Sequence, residues 1–221
     1  MAALTLFRTT DAFAPRSAAG IPPELHEMSV CIAEAFVKAM EAKDVFLRGH
    51  SQRVAQLGAD IAAELGLTPA TADLVRIAGS IHDVGKIGIR EAVLLKPGPL
   101  TADEYAHIKT HVQIGLDILA PLGHLGRALD YVAQHHELLD GTGYPRGLRG
   151  DDISLGGRIL AVADMFDALT SRRPYREPLT APQAMELLDG LAGRAIDRDV
   201  FETLRRIVLG ANGVLISESV A

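Results

Sequence analysis

At 221 residues, 48% of them apolar, the chain has material for one domain with a substantial core. Its 28 acidic residues outnumber 22 basic ones, and a formal charge of −6 excludes broad binding to a nucleic acid polymer, which needs basic surface. The single Cys31 excludes an internal disulfide framework, and no apolar run approaches the roughly 20 residues of a spanning helix.

Residues 1–23 read as a tail or linker, rich in Ala, Thr, Ser and Gly and closed by Pro22-Pro23. They hold no long apolar block and no clear cleavage site, so a cytoplasmic protein is expected. Leu25, Met28, Ile32, Ala35, Phe36 and Ala39 then recur at helical spacing and mark one face of a first helix, with Cys31 as a small buried hydrophobe. Val54, Leu57, Ile61 and Leu65 mark a second helix, ended by Gly66. Thr68-Pro69 offers an N-cap and first-turn proline for a third, burying Leu74, Ile77, Ala78 and Ile81. Gly85 interrupts that pattern and supplies flexibility, and Lys96-Pro97-Gly98-Pro99 is a loop. Thr101 and Glu104 have capping-box spacing, so a fourth helix starts there and carries Ile108, Val112, Leu116 and Leu119. A fifth reaches about His135-His136, before a glycine-rich loop over 137–152. An apolar helix follows from Ile153 to about Leu169, another starts at the Thr180/Gln183 capping pair, and a last runs from about Asp197 to Val208. The tail's Val214-Leu215-Ile216 is apolar enough to pack on the core or on a partner. No alternating strand pattern is present, and the expected fold class is all-α.

Five of the eight histidines and two aspartates stand in recognisable local patterns: His50, His82-Asp83, His111, His135-His136 and Asp164. Imidazole and carboxylate together suit a divalent transition metal, and seven ligands suffice for two ions, a common device for breaking phosphate esters. Adjacent side chains on a helix diverge by about 100°, so His82-Asp83 can clasp one ion only where the helix ends. A lone histidine is more often solvent-facing or hydrogen-bonded than a ligand. Asp164 is the stronger signal: it interrupts Ile159-Leu160-Ala161-Val162-Ala163, where a carboxylate is costly to bury unless paired or metal-bound.

Two stretches carry a resemblance: His82-Asp83-Val84-Gly85-Lys86-Ile87-Gly88-Ile89, and His135-His136-Glu137 with Asp140 through Leu148. Arg158 to Thr170 and Arg173-Pro174-Tyr175-Arg176 continue it. Together they resemble the HD-GYP family, α-helical members of the HD phosphohydrolase superfamily, over about residues 40–210 of a domain taken as 24–221. The resemblance implies a helical bundle of the HD phosphohydrolase type, and hydrolysis of cyclic di-GMP to linear pGpG, GMP or both. It assigns His50, His82, Asp83, His111, His135, His136 and Asp164 to two ions, iron or manganese. Some family members hold a third metal through a glutamate one turn before the first histidine; Phe46 stands there, so two ions are expected. The resemblance also implies regulation by a sensor or GGDEF-type partner protein.

On that basis Asp83 bridges the ions, which generate hydroxide between them. Lys86 stabilises phosphate charge or protonates the leaving oxygen. Gly141 and Gly143 allow the turns of a substrate loop, Pro145 fixes its backbone, and Tyr144 either stacks on guanine or covers the metals. Arg173 and Arg176 hold phosphate or guanine edges, or form solvated ion pairs. Asp167 and Arg53 are expected to support a ligand histidine and a carboxylate. His107, one helical turn before His111, is a further candidate, whereas His26 and His124 read as surface residues. Residues 24–43 offer a homodimer surface. Two competing functions remain: a non-hydrolytic cyclic di-GMP receptor or adaptor, and an HD phosphohydrolase acting on another nucleotide.

Overall fold

Side-chain caps set the starts of five helices in this computed structural model, which describes residues 23–43, 48–172 and 177–210. The elements are α1 (Pro23–Lys43), α2 (His50–Glu64), α3 (Pro69–Ile81), α4 (Glu91–Leu94), α5 (Ala102–Lys109), α6 (His111–Leu119), α7 (Arg127–Gln134), α8 (Leu155–Thr170), α9 (Ala181–Asp189) and α10 (Arg198–Leu209). Thr68 caps α3 with Pro69 in its first turn, capping boxes at Thr101/Glu104 and Thr180/Gln183 open α5 and α9, and the Asp197 carboxylate accepts from two amides of α10. No strand occurs among the described residues; two isolated bridges, Asp140 with Arg149 and Ala192 with Ile196, pin loops. The all-α fold is as expected.

The bundle is centred on α2, which packs along α3 and α8, with α7 closing against α3 and α8. Val54, Ile61, Val75, Ile77, Val132, Ile159 and Leu160 are buried between them, each worth roughly 1.5–3 kcal/mol on removal from water. Small residues set how close the helices come: a Cβ on Gly79 would lie 2.7 Å from Ala55 Cα. At the start of α8, a Cβ on Gly156 would lie 2.5 Å from the Tyr131 ring of α7.

Four expectations need correction. In α1 deep burial falls on Val37 and Met40, while Met28, Cys31, Ala35 and Ala39 are exposed. The buried stripe runs through Phe36, Val37 and Met40, because the helix meets the bundle through its second half. The single helix expected after Thr101 is two, α5 and α6, joined at Thr110. Leu74 is only half-buried; Val75 occupies the core in its place. Gly85 serves close approach rather than flexibility. A Cβ there would lie 1.9 Å from the His111 carbonyl oxygen and 2.4 Å from Gly115 N, so backbone packs on backbone between the 83–88 turn and α6. The apolar stretch 214–216 lies outside the described residues.

Candidate metal centre

Each expected ligand sits at a helix end or on the inner face of α8. His50 opens α2 after Gly49, whose φ of 69° is the left-handed geometry that glycine tolerates, and whose N–H donates to Glu41 Oε1 at 2.7 Å. His82 follows the last residue of α3, and Asp83, at φ −98° and ψ 3°, has already left the helix. This turn lets neighbouring side chains face one space. His111 opens α6, and His135 ends α7 with His136 beside it.

The orientation of the imidazoles is set by what holds their outer nitrogens. His82 Nδ1 lies 2.8 Å from Gly79 O, His111 Nδ1 2.8 Å from Ile108 O and His135 Nδ1 2.6 Å from Val132 O. A carbonyl only accepts, so each Nδ1 carries the proton and each Nε2 presents a lone pair inward. His50 is held likewise by Asp167 Oδ2 at 2.7 Å, and Arg53 Nη2 donates to the same carboxylate at 3.1 Å. Both supporting roles expected of Asp167 and Arg53 are thus present in the geometry.

Inside, His50 Nε2 lies 3.3 Å from Asp164 Oδ1 and 3.4 Å from Asp83 Oδ2. His82 Nε2 lies 3.4 Å from Asp83 Oδ2, and His111 Nε2 3.5 Å from Asp83 Oδ1. His136 Nδ1 stands 4.0 Å from Asp164 Oδ2. The two oxygens of Asp83 therefore face different histidines. The donor atoms form two groups that share this residue: His50, His82 and Asp83, and Asp83, His111, His135 and His136, all within 4.8 Å in each. Two features fit a cation. His50 Nε2, His82 Nε2 and Asp83 Oδ1 are buried with no hydrogen-bond partner, a costly state for polar atoms. His111 Nε2 and His135 Nε2 face each other at 3.4 Å, lone pair to lone pair, which only an intervening positive charge makes favourable. The cluster is thus compatible with divalent metal.

The electrostatics agree. Burial pushes the His111 imidazole down to about 4 and His136 to about 3, and holds His135 well below its ordinary value, so these three are neutral and free to offer a lone pair to a cation. Burial would lower His50 too, but the surrounding carboxylates of Asp164, Asp167 and Asp83 push it up to about 10. Without metal it carries the proton that a cation would displace. Asp83 and Asp164 stay ionised despite burial, Asp83 chiefly beside Lys86 and Asp164 through His50.

Lys86 Nζ lies 2.6 Å from Asp83 Oδ2. The pocket opens on one side: the Lys86, His136 and Asp164 side chains are 16%, 22% and 14% exposed, the other ligands 3% or less. Tyr144 stands at this mouth with one face stacked on His136, centroids 4.6 Å apart. Gly141 has a φ of 76°, and a Cβ on Gly143 would lie 2.4 Å from Leu138 N, so the loop folds back on its own start. The Tyr144-Pro145 peptide is cis. Arg173 and Arg176, like Phe46, lie outside the described residues. His107 is directed elsewhere; its Nε2 accepts the Arg90 N–H at 3.1 Å.

Three supporting residues escaped the sequence reading. The buried Glu137 accepts the Arg146 and Leu148 amides at 2.7 and 2.9 Å and shapes the loop; an acid directly after a histidine pair was the available signal. Gln134 Oε1 accepts from the Ser154 amide at 2.8 Å, joining α7 to α8 beside His135. Lys43, the last residue of α1, donates to the carbonyls of Lys86, Ile87 and Ile89 at 3.2, 2.5 and 2.7 Å. Nothing local in sequence marks that long-range contact.

An all-helical bundle whose helix ends gather histidines and aspartates around His82-Asp83 is a domain of the HD type. A model of the HD domain family matches residues 34–200. The chain belongs to that family and, by its paired signatures, to the HD-GYP branch. It is 40% identical over 176 residues to the 3'3'-cGAMP-specific phosphodiesterase 3 of Vibrio cholerae, covering 80% of this chain and 38% of that protein. It is 39% identical over 171 residues to a cyclic di-GMP phosphodiesterase of Thermotoga maritima, covering 76% and 46%. The chain thus spans less than half the length of these relatives. An HDG"Y"P protein from Bdellovibrio bacteriovorus shares the fold, with a TM-score of 0.63 and 20% identity over 84% of this chain and 65% of that one. No helix among the described residues is long and apolar enough to cross a membrane.

Proposed function

We propose that the chain is a phosphodiesterase that binds two divalent ions, iron or manganese, and hydrolyses a cyclic dinucleotide, cyclic di-GMP first, to pGpG, GMP or both. The observation that carries this reading is the sharing of Asp83 between two groups of inward-facing ligand atoms, several of them buried without a partner. The names of the relatives, phosphodiesterases of cyclic di-GMP and of 3'3'-cGAMP, support the substrate class.

Bound at this cluster, two ions supply an activated water nucleophile and offset charge on the phosphate oxygens. His50, His82 and Asp164 hold one side of the pocket, His111, His135 and His136 the other, and Asp83 joins them. Lys86, at the mouth and beside Asp83, neutralises the phosphate or protonates the leaving ribose oxygen. Gly141, Gly143 and Pro145 shape the substrate loop. Tyr144 covers His136 with one face and is the residue assigned to meet a guanine at the mouth. Arg173 and Arg176 belong to this reading as phosphate or guanine ligands. A sensor or GGDEF-type partner and dimerisation through 24–43 are part of it too; Met28 and Cys31 are exposed there.

Manganese-loaded protein, assayed for metal content and for products from cyclic di-GMP and 3'3'-cGAMP, tests the proposal. Two equivalents of metal with a linear product are expected. Two equivalents with no hydrolysis of either would favour a receptor, and turnover only of other nucleotides a different phosphohydrolase.

A further inference from the structure

Beyond the mouth residues already described lies an aromatic and cationic cluster on α5. Tyr105 packs edge-on against Tyr144, centroids 6.3 Å apart, yet is 48% exposed. Lys109, one helical turn further on, holds its ammonium 5.2 Å from the Tyr105 ring centre and 6.0 Å from that of Tyr144. Lys109 is half-buried, and no carboxylate pairs with it among the described residues. Most other lysines with contacts here have clear anchors: Lys86 on Asp83, Lys96 on Glu104, Lys43 on three carbonyls. Lys109 has two aromatic faces instead. They attract a cation by about 0.5–1 kcal/mol at an exposed site and leave its charge uncompensated. A chain of rings, His136 to Tyr144 to Tyr105, thus leads from the pocket mouth to an ammonium lacking an anion, on a protein of net charge −6.

We propose that Tyr105 and Lys109 form a second subsite that binds the half of a cyclic dinucleotide not held at the metal cluster, with Lys109 on the non-scissile phosphate and Tyr105 against the adjoining base. The chemistry suits such a ligand. It carries a second negative charge a short reach from the first, and a π-face that stacks on or meets the edge of a tyrosine. The rim lies at the open side of the pocket, where the half of a substrate outside the cluster would project. A mononucleotide or simple diester has no second internucleotide phosphate to offer Lys109, so the subsite selects for cyclic dinucleotides over smaller esters. This inference rests on the proposed function for its substrate.

The test compares wild type with Lys109→Gln, Lys109→Arg and Tyr105→Leu, all manganese-loaded full chains. Two readings are taken: cyclic di-GMP binding by calorimetry, and kcat/KM for cyclic di-GMP relative to bis(4-nitrophenyl) phosphate, which has no second half. Lys109→Gln is expected to weaken binding and lower that ratio about tenfold, as for one charge-assisted contact, and to flatten the salt dependence of binding; Lys109→Arg restores most of it. Tyr105→Leu lowers the ratio several-fold through KM. Equal losses on both substrates, or no change in binding, overturns the subsite. If wild type binds cyclic di-GMP but cleaves only the nitrophenyl ester, and Lys109→Gln still weakens binding, the proposed function fails and the subsite stands. If wild type binds no cyclic dinucleotide, the subsite fails as well.

Discussion

Gly85→Ala should empty the metal centre without touching a ligand. The added Cβ would sit 1.9 Å from the His111 carbonyl oxygen, 2.4 Å from Gly115 N and 2.9 Å from Gly115 Cα. Since Cβ atoms essentially never come within 3.0 Å of a neighbour, the 83–88 turn and α6 must separate by at least about 1.1 Å. All three obstructing atoms are backbone, so no rotamer change relieves the clash, and the cost belongs at the upper end of overpacking, about 3 kcal/mol. For a domain of this size that is a fall in Tm of roughly 6–12 °C. The same displacement moves Asp83 away from His111, while metal sites tolerate about 0.2 Å in ligand distance. The assay is metal content after dialysis against manganese, with thermal unfolding of the same samples. Gly98→Ala is the control, since a Cβ there meets nothing within 4 Å, and it should match wild type in both. A Gly85→Ala protein with its full metal complement and an unchanged Tm would refute the close-approach reasoning.

Asp167→Ala should weaken metal binding about 10–100-fold, because His50 loses the acceptor that fixes its tautomer; competition with a chelator reads this directly, and unchanged affinity counts against the role. Lys86→Ala should keep the metal content of wild type and cut turnover, and loss of metal instead would mean that the residue acts by holding Asp83. Metal-free protein should lose stability as pH falls from 6.5 toward 4. Burial depresses His111 to about 4, so below 6.5 the unfolded chain takes a proton that the fold refuses, worth up to about 3 kcal/mol at that site. His136 and His135 act in the same direction. His50, raised to about 10, has the opposite sign, but its contribution is already complete below 6.5 and is lost progressively as pH rises from 6.5 to about 10. Denaturant midpoints across pH 4–7 with chelator present check this, and a flat profile would contradict it.

Helix starts were legible because caps are local. Thr68-Pro69, Thr101/Glu104 and Thr180/Gln183 each satisfy amides a few residues away, and each opens a helix as expected. The residues that gather were legible too, since chemistry restricts a cation cage to few residue types and Asp164 interrupts an otherwise apolar helix; the structure brings them within a few ångström of one another. What the chain could not reveal were contacts made at long separation. Periodicity placed Met28, Ala35 and Ala39 on the buried face of α1 where Val37 and Met40 stand, because which face meets the bundle depends on how α3 and the turns at 84–88 and 120–125 pack beside it. Lys43 reaches carbonyls 43 to 46 residues away, and Lys109 lies beside Tyr144 only because α5 crosses the pocket mouth. Local pattern in the chain set most helix starts, the residue types that gather, and, through carbonyls three residues back, the inward nitrogen of His82, His111 and His135. Only packing between distant segments holds His50 against Asp167, 117 residues away, and presents the two oxygens of Asp83 to different histidines. Those contacts join helix ends far apart in the chain, and no local pattern encodes that.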